Sequence, residues 1–165
     1  MTEDRKLSNW DRYVEQIEFL LRMVSNVVRR RGREILVDFD ITPPQFTALQ
    51  VLMRHGRLTM GELGDLMYLA SSTLTDLVDR MEKNHYVERE RDDKDRRVIR
   101  LRVTPAGEEV FNAVMAKRRQ YLSSVLGRMS PSEIIRLDEA LHQIYDIMAQ
   151  EEVDLRDYET PADKH

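Results

Sequence analysis

Apolar residues recur at steps of three and four along the first third of the chain. Trp10, Tyr13, Val14, Ile17, Leu20, Leu21, Val24, Val27 and Val28 fall on one stripe. That period predicts a single long helix from about Ser8 to Asp38, with Gly32 its weak point. The stripe is wider than one neighbouring helix needs, so part of it is expected to bury against something else.

Beyond Asp40 the chain punctuates itself with helix starts. Thr42-Pro43-Pro44-Gln45 combines a capping hydroxyl, first-turn prolines and a capping-box glutamine; Phe46, Leu49, Leu52 and Met53 carry the apolar face, and His55-Gly56 stops it. Thr59-Met60-Gly61-Glu62 is a second capping box, opening a short helix with Leu63, Leu66 and Met67 inside. A third helix opens at Ala70-Ser71-Ser72-Thr73, buries Leu74, Leu77, Val78 and Met81, and fades at Lys83-Asn84-His85.

The period then switches to two. Tyr86–Arg91 and Arg97–Val103 read as strands, the latter alternating Ile99, Leu101 and Val103 against Val98, Arg100 and Arg102, with Asp92–Arg96 as the hairpin tip. Thr104-Pro105 starts a helix to about Leu126. Ser130-Pro131-Ser132-Glu133, another capping box, starts a last helix to about Gln150, and residues 151–165 form an acidic tail expected to fray. The fold expected is mainly α with a small β-hairpin.

Two short helices in tandem, a compact turn and a two-stranded hairpin follow the order of a winged helix-turn-helix. With its apolar positions inward, the helix from Ser71 turns Ser72, Thr75, Asp76, Asp79 and Lys83 outward, with Thr73 and Arg80 on the flank. Hydroxyl side chains and free N–H groups at a helix start suit phosphates and base edges. Taken alone, this helix is equally an ordinary amphipathic one.

The hairpin adds the second half of the pattern. Residues 86–102 hold seven basic side chains (Arg89, Arg91, Lys94, Arg96, Arg97, Arg100, Arg102) against five acidic ones. An arginine on a protruding hairpin matches the charge and width of a narrow A·T minor groove. Asp95, two residues before Arg97, is placed to hold that guanidinium in a bidentate pair.

Composition trims the alternatives. With 41% hydrophobic and 34% charged residues the chain reads as well folded and helix-rich. Zero cysteines exclude disulfides, a cysteine zinc site and thiol-based sensing. The four histidines (His55, His85, His142, His165) include no i, i+3 or i, i+4 pair, so no metal site is expected and no cofactor is implied. There is no glycine-rich phosphate loop, nucleophile motif or recognisable carboxylate pair, which argues against an enzyme. No apolar run approaches the roughly 18–20 residues of a membrane span and no signal-peptide core is present, so a cytoplasmic protein without membrane partners is expected.

The net charge of −4 argues at first against nucleic acid. Its distribution changes that: residues 43–104 carry 11 basic and 10 acidic side chains, whereas residues 151–165 carry two against six. The central segment is therefore near neutral, and its non-specific DNA affinity is expected to be modest.

From Pro43 to Thr104, and in helix order over nearly the whole chain, the sequence resembles the MarR-type (multiple antibiotic resistance) transcriptional regulators. The resemblance is carried by Ser71-Ser72-Thr73-Leu74-Thr75 leading into Val78-Asp79-Arg80-Met81-Glu82-Lys83, and by Asp95-Arg96-Arg97 followed by Val103-Thr104-Pro105-Ala106-Gly107. The family's wing pattern of Asp-x-Arg, five residues, then Leu-Thr is met with valine in the leucine slot.

The resemblance implies a homodimer, with residues 1–40 and 105–150 as dimerisation helices around a winged helix-turn-helix at 41–104. It would bind a palindromic operator in double-stranded DNA. Ser71, Ser72, Thr73, Thr75, Asp76 and Arg80 would address the major groove, and Lys94, Asp95, Arg96 and Arg97 the wing contacts. Asp76 departs from what DNA favours and is carried over as a specificity position.

Family members usually respond to a small anionic or phenolic ligand, or to oxidant or metal. The absence of cysteine and of paired histidines leaves a small organic effector or none, and a repressor released by such an effector is expected. Tyr13, Met23, Phe46, Met53 and Tyr68 are candidate pocket walls, with Arg22 or Arg30 as anion partner. The alternative is a regulatory adaptor whose winged domain binds protein, for which Asp76 and Asp79 on the outward face speak.

Overall fold

The computed structural model describes residues 3–92 and 95–158, with side chains for residues 9–92 and 95–150. Among the described residues, six helices and three strands follow in the order α1 (Glu3–Val37), α2 (Pro43–His55), β1 (Leu58–Thr59), α3 (Met60–Met67), α4 (Ser71–Lys83), β2 (Val87–Arg91), β3 (Ile99–Val103), α5 (Pro105–Leu126) and α6 (Pro131–Tyr158). They divide into two compact units, residues 1–118 and 119–165.

The caps read from the sequence are in place. Gln45 Oε1 accepts from the Thr42 N–H at 2.9 Å and from its hydroxyl at 3.0 Å. Glu62 accepts from the Thr59 N–H at 2.7 Å while Thr59 Oγ1 accepts from the Glu62 N–H at 3.2 Å. Ser130 and Glu133 repeat the exchange at 2.8 and 3.4 Å. Each box satisfies amides that a helix start otherwise leaves open.

α4 ends in a Schellman arrangement. His85 is left-handed at φ 59°, its N–H donates to Glu82 O at 2.9 Å, and the Tyr86 N–H donates to Met81 O at 2.9 Å. This reversal aims the chain into β2.

The sheet has three strands, not two. Two-residue β1 pairs antiparallel with β3 (Leu58 opposite Leu101), and β3 pairs with β2 (Arg89 opposite Leu101), in the order β1-β3-β2. Tyr86, Arg97 and Val98, expected in strands, lie outside them. Leu101 is fully buried while Ile99, at the strand's start, is exposed. The sheet's inner face meets Leu58, Val87, Phe46, Leu49, Leu52, Leu63, Leu74, Val78, Met81 and Val114 in one core. Burying such side chains contributes roughly 1.5–3 kcal/mol each before entropy is charged against it.

α1 gives this core only its C-terminal end, Ile35 and Leu36. Its whole apolar stripe is exposed, Trp10 at 67%. In the second unit, α6 runs to Tyr158, past the expected end near Gln150. Residues 151–158 contain neither glycine nor proline, and acidic composition alone does not end a helix. Ile135, Leu137, Leu141, Ile144, Ile147 and Met148 on α6 are exposed as well.

Candidate nucleic-acid interface

The sequence leaves the start of α4 open. Ala70 stands at the N-cap and supplies no side-chain acceptor, so the first-turn amides of Ser71, Ser72 and Thr73 have no capping group. Leu74, Val78 and Met81 are buried, and Ser71, Ser72, Thr73, Thr75, Asp76 and Arg80 are exposed, as the helical period requires. The Thr75 hydroxyl donates to Ser71 O at 2.9 Å, which leaves its oxygen only as an acceptor. Ser72, Thr73, Asp76 and Arg80 share an open cleft of about 420 Å³ with Thr42, Pro44, Gln45, Leu69 and Leu77. The N-terminus of α2 thus forms one wall of the groove that α4 presents.

The hairpin tip is built by aspartates. The Asp92 N–H donates to Val98 O at 2.9 Å, and Asp92 Oδ1 accepts from the Asp95 N–H at 3.1 Å. Asp95 Oδ1 in turn accepts from the Arg97 backbone N–H at 3.0 Å. The bidentate pair expected between Asp95 and Arg97 is not formed: the guanidinium Nε stands 3.7 Å away, and the Arg97 side chain is 94% exposed. Asp95 orders the backbone that carries Arg97, because a side chain two residues back reaches the amide more readily than the guanidinium. Arg96 is exposed beside it, and Lys94 lies outside the described residues.

Among the described basic residues of the wing, three are already engaged in close ion pairs. Arg89 reaches back to α4, where it bonds Asp79 at 2.7 Å and also Glu82; the Arg89 N–H donates to Glu82 at 3.1 Å. Arg100 bonds Asp92 and stands 3.2 Å from Glu62 on α3. Arg102 bonds Glu88 and lies 2.7 Å from Glu90. Hydrogen bonding to Asp92 raises the pKa of Arg100, and the charges of Glu88 and Glu90 raise that of Arg102. The backbone bond from Thr59 holds the Glu62 carboxyl below its ordinary range. The Arg89 and Arg100 pairs tie the wing to α4 and α3, and among the described residues Arg91 and Arg96 are exposed with no ion pair, while Arg97 comes no nearer to a carboxylate than 3.7 Å. In sequence they are indistinguishable from free cations; the only clue is acidic residues three apart, Asp79 and Glu82, facing an arginine.

The residues expected around an effector are mostly dispersed. Tyr13, Arg22 and Met23 are exposed on α1, with Arg22 bonded to Glu18 at 3.0 Å. Met23 and Arg30 share a shallow groove of about 300 Å³ with Asn26, Val27, Arg29 and Arg33. Met53 is exposed on α2, and Tyr68 is 89% exposed at φ 53° in the turn before α4. Phe46, expected as a wall, sits in the core with no free face: its ring stacks on Phe111 at 5.5 Å, and the Arg118 guanidinium covers it at 4.5 Å. Arg118, which sequence reading missed, packs against Gly32, and burial lowers its pKa. No periodicity marks such a residue.

Among the described residues no three His, Asp or Glu side chains gather as metal ligands, and no helix is long and apolar enough to cross a membrane.

Comparison with known proteins agrees with this geometry. A sequence model of the MarR family matches residues 41–99. The HTH-type transcriptional regulator YsmB of Bacillus subtilis is 44% identical over 132 residues, covering 80% of this chain and 90% of that one. The HTH-type transcriptional repressor MdtR of the same organism is 28% identical over 76% of this chain and 81% of its own. The solved structure of a MarR family protein from Bacillus stearothermophilus superposes with a TM-score of 0.77 at 45% identity, covering 84% of this chain and 97% of that one. With that identity over nearly the full length of its relatives, the chain belongs to the MarR family.

Proposed function

We propose that the protein is a homodimeric repressor that binds a palindromic operator and leaves it when a small anionic or phenolic effector binds. The observation that carries the DNA reading is the pairing of an open, uncapped recognition helix with an almost fully exposed arginine whose backbone N–H is held by Asp95. α4 enters the major groove through Ser71, Ser72, Thr73, Thr75, Asp76 and Arg80. Arg97 enters the adjacent minor groove on backbone ordered by Asp95, flanked by Arg96 and Lys94. A second copy covers the apolar faces of α1 and α6 and sets two recognition helices on half-sites about one helical turn apart. MdtR, a relative, is a repressor by name, which supports that direction of control.

For the effector, Arg30 with Met23 is the favoured anchor, since Arg22 is already bonded to Glu18. The adaptor alternative loses half its support, because Asp79 is bonded to Arg89 and not displayed to a partner.

The test is binding to operator-length A·T-rich palindromic duplexes as salt is varied. Several phosphate contacts predict an affinity that falls by orders of magnitude between about 50 and 200 mM salt. Absence of saturable, salt-sensitive binding at low salt refutes the reading. A thermal-shift screen against aromatic acids tests the effector, with Arg30→Ala expected to lose the shift.

A further inference from the structure

α4 carries three carboxylates, and the structure treats them differently. Asp79 and Glu82 are both taken by Arg89. Asp76 is exposed and has no ion pair or hydrogen-bond partner among the described residues. Arg80, one turn further on, is likewise exposed and unpaired there. An acid and an arginine at i and i+4 commonly bond each other on a helix. Here they do not, and both line the cleft on the recognition face.

We propose that Asp76 and Arg80 are base-reading residues, Asp76 selecting cytosine and Arg80 selecting guanine within the same half-site. The inference rests on the DNA reading above and gives it a sequence. A carboxylate entering a groove lined with phosphates is repelled unless a base donates to it. In the major groove guanine presents two acceptors, thymine an acceptor and a methyl, and adenine a donor beside an acceptor; cytosine presents a donor alone. A group that can only accept therefore favours cytosine, finds adenine's donor set beside a repelling acceptor, and is repelled by guanine and thymine. The guanidinium of Arg80 has the complementary preference, its fork matching O6 and N7 of guanine.

Four residues of helix rise about 6 Å, against about 3.4 Å per nucleotide of one strand, so the two bases lie within about two base-pair steps. The half-site then has a G·C-containing centre read by α4 and an A·T-rich flank read by Arg97. It also follows why Asp79 is bonded at home: a second open carboxylate on this face would add repulsion without a second base to read.

The test is selection from a pool of duplexes with a randomised centre, using the full-length protein and the variants Asp76→Asn, Asp76→Ala and Arg80→Ala. The wild type is expected to enrich a cytosine, repeated in both half-sites, by about ten-fold over thymine at that position. Asp76→Asn should change that base to adenine, whose N6 and N7 an amide matches, and Asp76→Ala should flatten the position while sparing the rest. Arg80→Ala should relax a guanine within two steps. Because Asp76 and Arg80 are exposed and unpaired, their variants should melt with the wild type, which a thermal scan checks. If the wild type enriches a palindrome and both Asp76 variants enrich the same one, Asp76 reads no base and the inference is wrong. If the wild type enriches nothing, the DNA reading itself fails and takes this inference with it.

Discussion

Gly107, in the first turn of α5, is expected to be among the least replaceable residues of the domain. A Cβ built there lies 2.1 Å from Tyr86 O, 2.8 Å from Val103 Cγ1 and 3.0 Å from Tyr86 C. The nearest obstacle is backbone, and the same carbonyl accepts the Thr104 N–H at 3.1 Å. Restoring van der Waals separation requires a shift of about 1 Å between the start of α5 and the α4–β2 turn. Overpacking of this kind costs about 1–3 kcal/mol, and weakening the Thr104 bond adds about 0.5–1.5. Against this, Gly→Ala in a helix recovers at most about 1 kcal/mol. The net loss for Gly107→Ala is then between about 0.5 and 4.5 kcal/mol, centred near 2, which lowers the melting temperature by roughly 4–8 °C at that centre.

Gly61→Ala is the internal control. Its Cβ meets nothing nearer than Thr59 Oγ1 at 4.0 Å, within α3, so it should stabilise by about 0.5–1 kcal/mol. Both variants are compared by urea and thermal unfolding at one fixed chain concentration. A Gly107→Ala protein as stable as the wild type, or a shift of the same sign in both variants, refutes the packing argument.

Four further outcomes are expected. Arg97→Ala should weaken operator binding by about 1–3 kcal/mol, most at sites with a narrow minor groove; an equal loss on all sequences would reduce Arg97 to a phosphate contact. Arg89→Ala removes partly exposed ion pairs and should cost no more than about 1 kcal/mol of stability, yet lower operator affinity further by freeing the wing from α4; titrations showing only the stability loss would contradict that coupling. Gln45→Ala leaves the Thr42 amide unpaired beside a buried position and should destabilise by about 1 kcal/mol in urea unfolding. Glu62 and Glu133 have carboxyl pKa values held below the ordinary 4.5 by bonds to Thr59 and Ser130. A depressed pKa stabilises above the unfolded-state value and ceases to as pH falls through the folded one, so the melting temperature should drop in that acidic window. The drop should be smaller in Glu62→Ala; a flat profile through the window argues against it.

The winged fold was legible because its signals are local. Thr42, Thr59 and Ser130 announce helix starts through bonds spanning three residues, and Leu74, Val78 and Met81 mark a buried face by spacing alone. β1 was not legible, since two residues carry no period, and its pairing with Leu101 is a tertiary fact. The open face of α4 followed from periodicity. The state of its charges did not: Arg89 and Arg97 look alike in sequence, yet one is tied to Asp79 and the other faces solvent. Phe46 shows the opposite failure, where an aromatic at helical spacing reads equally as pocket or core. Its burial under Arg118 joins residues 72 positions apart, beyond the reach of any local pattern.

The uncovered stripe of α1 has a thermodynamic consequence. A helix of 35 residues whose buried positions, among those described, are only Gly32, Ile35 and Leu36 at its C-terminal end gains little packing from its own chain, and helices in water draw most of their stability from packing. On the proposed pairing through α1 and α6, folding of α1 is coupled to assembly, so ellipticity at 222 nm should rise with chain concentration over the range in which pairs form. Operator DNA, by binding pairs alone, should pull that transition to lower concentration through mass action. Below it, occupancy of the operator scales with the square of the amount of protein. A truncated chain that keeps α1 and α6 but lacks the wing would then poison the intact one by pairing with it.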